Sequence, residues 1–266
     1  MIDAKALLDR FLGSDGAAAH SQCGRHSSPW GAPPASGREA GGNRSTADRL
    51  AQAAQRALGG GGGAGGLAGI AAAGGLLGTL MGKKSRKRGG GLLSHGGAAL
   101  LGALAHRAWQ NWQAGQAPAS APPATLRDTE AVEPHFLPGA TPATGGEPFE
   151  LSLIRAMIGA ARADGHIDAA ERNRIFEQVE KAGLDAEAKA FVFDTLDTPI
   201  GVSEVAAAAR TPEQAAEIYL VSCLAVDPDE PVERAYLQAL AHRLKLPEGL
   251  VAHLNRQADM ASQPDS

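Results

Sequence analysis

Residues 163–171 read ADGHIDAAE, and at this stretch one helical pattern ends and another begins. Asp164-Gly165 ends the first pattern, because glycine is common just past the end of a helix. Asp168 stands where an N-cap belongs, and Glu171 three residues later completes an acidic variant of the capping box. The stretch therefore predicts the elbow of a helical hairpin, with three carboxylates gathered at it.

A second acidic elbow lies further along the chain, where residues 226–233 read VDPDEPVE. Segments 154–184 and 218–246 align with a slip of one residue at the elbow. The alignment pairs Asp164 with Asp227 and Glu171 with Glu233. The C-terminal half is therefore predicted to contain two related helical hairpins. A pseudo-twofold packing of these hairpins would bring the carboxylates of both elbows towards a shared region.

The carboxylates allow two interpretations. Capping accounts for Asp168, Glu171 and Glu233. An acidic side chain in a first turn accepts hydrogen bonds from free backbone N–H groups, and its negative charge is stabilised by the positive end of the helix dipole. Asp164 and Asp227 instead follow helix C-termini, where the helix dipole disfavours an anion and a cationic partner is expected.

That cationic partner is either an arginine, Arg172 or Arg234, or a divalent ion. Oxygen ligands select hard cations such as Ca²⁺ and Mg²⁺, although the spacing is not that of an EF-hand loop. The candidate metal ligands are Asp164, Asp168, Glu171, Asp227 and Glu233.

Helical periodicity covers the rest of the C-terminal half, and no alternating strand pattern occurs. Asp185 is predicted to cap a helix through Leu196, and Thr211-Pro212 is a capped helix start. The predicted class is all-α, with a bundle of about seven helices. The further helices are predicted at 149–161, from 168 to the stop at 183, and at 202–209, 212–226, 231–245 and 247–259.

The charge divides sharply along the chain. Residues 1–146 carry a net charge of +6 and residues 147–266 a net charge of −10, so the two halves are expected to have different partners. The acidic half disfavours nucleic acid as its partner, because phosphate neutralisation needs lysine and arginine. The two cysteines cannot form a disulfide framework, and Cys223, on an apolar helix, is predicted to be a small core residue.

The N-terminal half is expected to be an anchor. Residues 1–12 are predicted to form an amphipathic helix that folds only against a membrane or the C-terminal domain, and residues 13–58 a disordered linker with a short helix. Gly59–Gly82 contains no charge and is long enough to cross a hydrocarbon core of about 30 Å. A second small-residue segment, Gly89–Ala105, precedes Trp109 and Trp112, which are expected at the membrane interface.

A basic cluster lies between these two segments and is predicted to contact anionic lipid. Its residues are Lys83, Lys84, Arg86, Lys87 and Arg88. No aromatic residue is interleaved with them for base stacking, which disfavours nucleic acid. The alternative is a flexible glycine-rich tether with a solvated basic patch. Gly-x3-Gly spacings in the anchor favour self-association, and hence a homo-oligomer.

The domains predicted are therefore 1–12, 13–58, the membrane-associated region 59–113, a linker at 114–146 and the helical domain 147–260. Prolines are expected to keep 114–146 extended and to hold the helical domain away from what precedes it. An enzyme is not expected, because the chain has no nucleophile elbow, no P-loop and no dinucleotide fingerprint.

The residues quoted above also carry a resemblance. ADGHIDAAE and AVDPDEPVERAYLQALAHRLKLP resemble the TerB-like tellurite-resistance superfamily, while KKSRKRGGG and HRAWQNWQ resemble the YebE-type family of bacterial inner-membrane proteins. The resemblance implies an all-helical domain with metal-binding acidic residues in proteins of envelope or chemical stress. It also implies location in the bacterial inner membrane. If only Gly59–Gly82 spans, the basic cluster favours a cytoplasmic C-terminal domain, whereas a hairpin of both segments with the basic loop inside would place that domain outside. The prolines of the second elbow depart from the TerB pattern.

Overall fold

A computed structural model describes residues 2–13, 97–163, 173, 175–177, 179–180, 182–226 and 230–262 of the chain. These residues contain eight α-helices and three short 3-10 helices, and no strand occurs among them, which confirms the predicted all-α class. In chain order the helices are α1 (Ala4–Leu12), α2 (Gly97–Gln113), α3 (Phe149–Ala161), α4 (Ala186–Asp197), α5 (Val202–Ala207), α6 (Pro212–Leu224), α7 (Pro231–Arg243) and α8 (Glu248–Ser262).

Three of the helix starts are fixed by side-chain caps. Asp185 accepts a hydrogen bond from the Ala188 amide at 2.7 Å, and the Thr211 hydroxyl accepts one from the Gln214 amide at 3.2 Å. Both caps were predicted from the sequence and are confirmed. Asp3 caps α1 in the same way. Such caps fix where a helix begins, because they satisfy amides that have no partner inside the helix.

Helix α6 lies at the centre of the bundle. Every residue from Gln214 to Leu224 is buried, so this helix is enclosed on all sides. It packs against α3, α8, α2, α7 and α5. A helix that is buried all round must be mainly apolar, and α6 is so from Ile218 to Val221.

Helix α2 corrects the prediction for the second small-residue segment. The part of Gly89–Ala105 that the structure describes belongs to α2, whose Leu100, Leu101 and Leu104 are fully buried against the helices α8, α6 and α1. Small residues allow close packing in a protein core just as they do in lipid, and Gly102 is an example. A Cβ at Gly102 would overlap the Phe136 carbonyl.

No helix in the described ranges is long and apolar enough to span a bilayer. The predicted span Gly59–Gly82 and the basic cluster lie outside those ranges. Trp109 and Trp112, which were expected at a membrane interface, pack against the core of the bundle. Their rings meet edge to face, with centroids 5.5 Å apart.

Residues 114–146 do not form the extended spacer that was predicted. They contain three 3-10 helices, at Pro118–Ser120, Leu126–Ala131 and Pro134–Phe136, and they contact α2, α6 and α8. Phe136 is buried against α2, and the Ala124 amide donates to Gln257 Oε1 of α8 at 2.9 Å. The prolines restrict the backbone but leave these apolar side chains free to pack.

Helix α1 packs against α2 and α3 through its apolar face. The sequence left a membrane or the C-terminal domain as the surface on which this helix folds. In the structure it lies on the bundle.

Candidate binding groove

Four of the five predicted metal ligands, Asp164, Asp168, Glu171 and Asp227, lie outside the described residues. The helices that lead to them are described. Asp164 follows the last residue of α3 by three positions, and Asp227 follows the last residue of α6 by the same number. The two elbows thus begin equivalently, as the alignment of the hairpins predicted.

Glu233 is the fifth predicted ligand, and it lies in the first turn of α7, half-buried. This is the position that the capping interpretation gave it. Within the described ranges, no group of three or more His, Cys, Asp or Glu side chains could hold a metal ion. Arg234, one of the two arginines predicted to balance an elbow aspartate, lines a groove.

That groove is a site feature that the sequence did not reveal. It lies between α7 and α8, has α6 as its floor and measures about 670 Å³. It exists because the two helices have different neighbours. Helix α7 packs mainly on α5, whereas α8 packs mainly on α2. Although only four residues, 244–247, separate the two helices, their neighbours hold them apart.

The walls of the groove are mainly apolar. Leu237 and Ala241 come from α7, Val251 and Ala258 from α8, and Leu246 from the turn between the two helices. Two of these residues are alanines, which leave room in the groove for another molecule. A concave apolar surface with a few polar groups is typical of a binding site.

A small hydrogen-bonded cluster forms part of the floor. The Tyr219 hydroxyl donates to Asn255 Oδ1 at 3.0 Å, and the Cys223 thiol donates to the same oxygen at 3.4 Å. Burial raises the pKa of the Cys223 thiol to about 12 and raises that of Tyr219 as well. Both groups are therefore neutral at physiological pH, and Cys223 is the core residue that the sequence predicted. A protonated, buried thiol is a poor nucleophile.

Charged side chains complete the lining. Arg234 and His242 come from α7, and Glu248 and Asp259 from α8. The two walls therefore differ in charge, with the basic groups on α7 and the acidic groups on α8. A ligand with both charged and apolar groups suits this lining better than a purely apolar one.

Glu217 is a buried carboxyl group that sequence reasoning did not single out. It lies on α6 with 1% of its surface exposed, and its Oε1 has no hydrogen-bond partner among the described residues. Burial raises its pKa well above the ordinary value, and the nearby carboxylates Glu150 and Glu213 raise it further. The core therefore favours the neutral form of Glu217. The signal that could have found it is its place between Ala216 and the apolar run Ile218–Val221.

A family described as "Protein of unknown function (DUF533)" matches residues 65–258, which is most of the chain. The chain belongs to the DUF533 family. The DUF533 match includes α2 to α7 and most of α8, and therefore nearly all of the groove, while α1 precedes it.

The DUF533 chain is also 35% identical over 96 residues to a Yersinia enterocolitica protein described as "Uncharacterized protein in ampR 5'region". This match covers 36% of the chain and 69% of that protein. No solved structure matches the chain. These similarities identify the family, and neither description states an activity.

Proposed function

We propose that this protein is a non-enzymatic, membrane-associated protein of the stress-response type whose bundle binds a helix of a partner protein. The observation that carries the proposal is the groove of about 670 Å³ between α7 and α8. Amphipathic helices commonly bind by laying an apolar face into such a groove. The small residues Ala241 and Ala258 leave room for the side chains of an incoming helix.

The exposure of α7 supports a helix rather than a small compound as the ligand. Only Leu237 and Leu240 of its 13 residues are buried, so most of its surface remains accessible. A small ligand would leave much of that surface exposed, whereas a helix would cover it along its length. The basic groups on α7 and the acidic groups on α8 favour a partner helix that carries charges of both signs beside its apolar face.

A photo-reactive residue tests the groove. We expect benzoylphenylalanine in place of the exposed Gln238, which lines the groove, to cross-link a helical segment of a partner protein in cells. The same replacement at Glu130, an exposed residue outside the lining, is the matched control. Mass spectrometry of the adduct identifies the cross-linked segment.

Filling the groove separates specific capture from contact by chance. Ala241→Trp places an indole in the groove and should abolish the Gln238 adduct, provided that the melting temperature shows an intact bundle. An adduct that persists in Ala241→Trp, or that forms equally at position 130, would refute the groove as the partner site.

Membrane association rests on the uncharged run Gly59–Gly82 and the adjacent basic cluster. Helix α1 precedes Gly59–Gly82 in the sequence and packs on the bundle that follows it, so both lie on one side of the membrane. Gly59–Gly82 is therefore proposed to associate with the bacterial inner membrane without crossing it. The basic cluster then favours a bundle in the cytoplasm. Carbonate extraction is the test, and recovery of the full chain entirely in the soluble fraction would favour the alternative, a soluble interaction scaffold.

A divalent ion is a second ligand proposed for the bundle. The supporting observation is that Asp164 and Asp227 follow the ends of α3 and α6 at equal distances along the chain. An ion that binds the folded state must raise the melting temperature. Ca²⁺ or Mg²⁺ should therefore stabilise the full chain and not the double variant D164N/D227N. Equal melting curves with and without either ion would remove this ligand from the proposal.

A further inference from the structure

A second pocket lies between α5 and the C-terminal end of α7, and it measures about 610 Å³. Three alanines form its apolar part, which leaves the pocket wide. Its polar lining consists of Ser203 from α5, His242 and Arg243 from α7, and Lys245 from the turn that follows. No acidic residue belongs to this lining, although residues 147–266 carry a net charge of −10. The pocket is therefore a basic site in the acidic half of the chain.

The polar side chains of this pocket have donors to offer a ligand. Arg243 and Lys245 are cationic donors, and the Ser203 hydroxyl and the His242 ring can each donate as well. Within the described ranges, none of these four side chains forms an ion pair or a hydrogen bond. Glu204 follows Ser203 on α5 but does not line the pocket. The pocket thus presents several donors and no carboxylate that would neutralise them.

The backbone at Lys245 is a second, independent observation. Helix α7 ends in a turn in which the Leu246 amide donates to the Ala241 carbonyl at 3.1 Å. In the same turn, the Lys245 amide donates to the His242 carbonyl at 3.2 Å. Lys245 has a φ of 55° and is the only residue other than glycine with a positive φ in the described ranges. Glycine is usual at this position of a helix end, because a Cβ makes the left-handed conformation costly.

The first hairpin has glycine at the equivalent position. In the alignment of the two hairpins Gly183 pairs with Lys245, and its φ of 61° is nearly the same. The negative end of the helix dipole accounts for Arg243 in the last turn of α7, but it does not require a lysine at the left-handed position. Lys245 therefore stands where glycine would be more stable, and its side chain lines the pocket.

We propose that this pocket binds a phosphate group, with Arg243 and Lys245 neutralising its charge and Ser203 and His242 donating to its oxygens. A phosphate has more acceptor oxygens than a carboxylate, which suits a pocket with several donors. Arginine can bind phosphate through two parallel hydrogen bonds, and lysine binds it as a point charge. The group belongs either to a small phosphorylated molecule or to the headgroup of an anionic lipid. Arg243 and Lys245 do not line the groove between α7 and α8, so the two sites can be tested separately.

The variant K245G tests the site without weakening the fold. In chloride buffer its melting temperature should equal or exceed that of the unmodified chain, because glycine adopts the left-handed conformation without strain. Inorganic phosphate is the probe, added to the detergent-purified full chain at constant pH and ionic strength. A ligand of the folded state raises the melting temperature. The phosphate concentration needed for a given rise should be about tenfold or more higher in K245G, since a charged donor is lost.

Two further variants make the result specific to the pocket. Arg243→Gln should weaken the response to phosphate as K245G does. Lys189 lies on α4, where it pairs with Glu180 at 2.7 Å, and it does not line the pocket. Lys189→Gln removes the same charge as K245G and should leave the response unchanged. An equal loss in Lys189→Gln and K245G would mean that phosphate binds exposed basic groups in general, and it would overturn the site.

Vesicles distinguish the two sources of the phosphate group. For a lipid headgroup, K245G should bind phosphatidylglycerol vesicles about tenfold more weakly than Lys189→Gln, with phosphatidylcholine vesicles as the uncharged control. For a small phosphorylated molecule, the two variants should bind vesicles equally and differ only with inorganic phosphate. Equal behaviour of the two variants with both probes would overturn the proposal. So would a melting temperature of K245G below that of the unmodified chain in chloride, since Lys245 would then serve the stability of the turn.

Discussion

Helices α6 and α7 are consecutive, contain 13 residues each and both begin with proline, yet their environments differ. Eleven consecutive residues of α6 are buried, whereas only two residues of α7 are buried. The first pattern belongs to a helix enclosed by others, and the second to a helix packed along one narrow side. The comparison separates two contributions of one hairpin, since α6 supplies stability and α7 supplies accessible surface.

Two valines test this difference with the same substitution. Val221 on α6 is fully buried and Val232 on α7 is 53% exposed. We expect Val221→Ala to lower the free energy of unfolding by about 2–3 kcal/mol, because it removes buried methyl groups and leaves a cavity. Val232→Ala should change it by about 0.5 kcal/mol or less. Urea denaturation of the two variants measures both values.

Similar losses at both positions would contradict the comparison. That result would mean that Val232 is covered in the protein in solution, for example by another molecule. The concentration dependence of the Val232→Ala loss would then show whether the covering molecule is a second copy of the chain.

Two glutamates test the same difference through the pH dependence of stability. Glu217 on α6 has a raised pKa, chiefly through burial, whereas Glu233 on α7 is half-buried. Above the ordinary Glu pKa of about 4.3 the unfolded chain releases a proton that the folded chain retains, so stability falls as the pH rises towards the raised pKa. For one proton, the free energy of unfolding falls by at most about 1.4 kcal/mol per pH unit.

The variant Glu217→Gln should remove this decline, because the amide does not titrate, while Glu233→Gln should leave it in place. Urea titrations at several pH values above 4.3 provide the measurement. A decline that persists unchanged in Glu217→Gln would show that another group binds the proton.

The sequence predicted the helices well because their starts and ends depend on neighbouring residues. Asp185 and Thr211 accept hydrogen bonds from amides three residues later, which is chemistry that spacing alone reveals. The alignment of the two hairpins placed Glu233 in the first turn of a helix for the same reason. The positions of Asp164, Asp168, Glu171 and Asp227 in space remain predictions.

The groove could not be predicted in this way, because it depends on contacts between residues far apart in the chain. The sequence around Leu246 and Val251 predicts that α7 is followed by α8. It does not predict that α5 and α2 hold α7 and α8 apart. The segment Gly89–Ala105 was predicted to associate with the membrane, and this was wrong for the part that belongs to α2. Leucines among small residues suit a protein core and a bilayer equally. Phe136 was likewise hidden in a proline-rich segment, where composition favoured an extended chain.

Two tyrosines provide the smallest and most specific test of α6 against α7. The Tyr219 hydroxyl on α6 donates to Asn255, whereas the buried Tyr236 hydroxyl on α7 has no hydrogen-bond partner among the described residues. Tyr219→Phe should cost about 0.5–1.5 kcal/mol, the net value of a typical hydrogen bond. Tyr236→Phe should be neutral or slightly stabilising, because it removes an unsatisfied buried polar group. Urea denaturation at constant pH compares the free energies of unfolding of the two variants. An equal loss at both positions would mean that the Tyr236 hydroxyl has a hydrogen-bond partner. Helix α7 would then be held in the bundle more firmly than its exposure indicates.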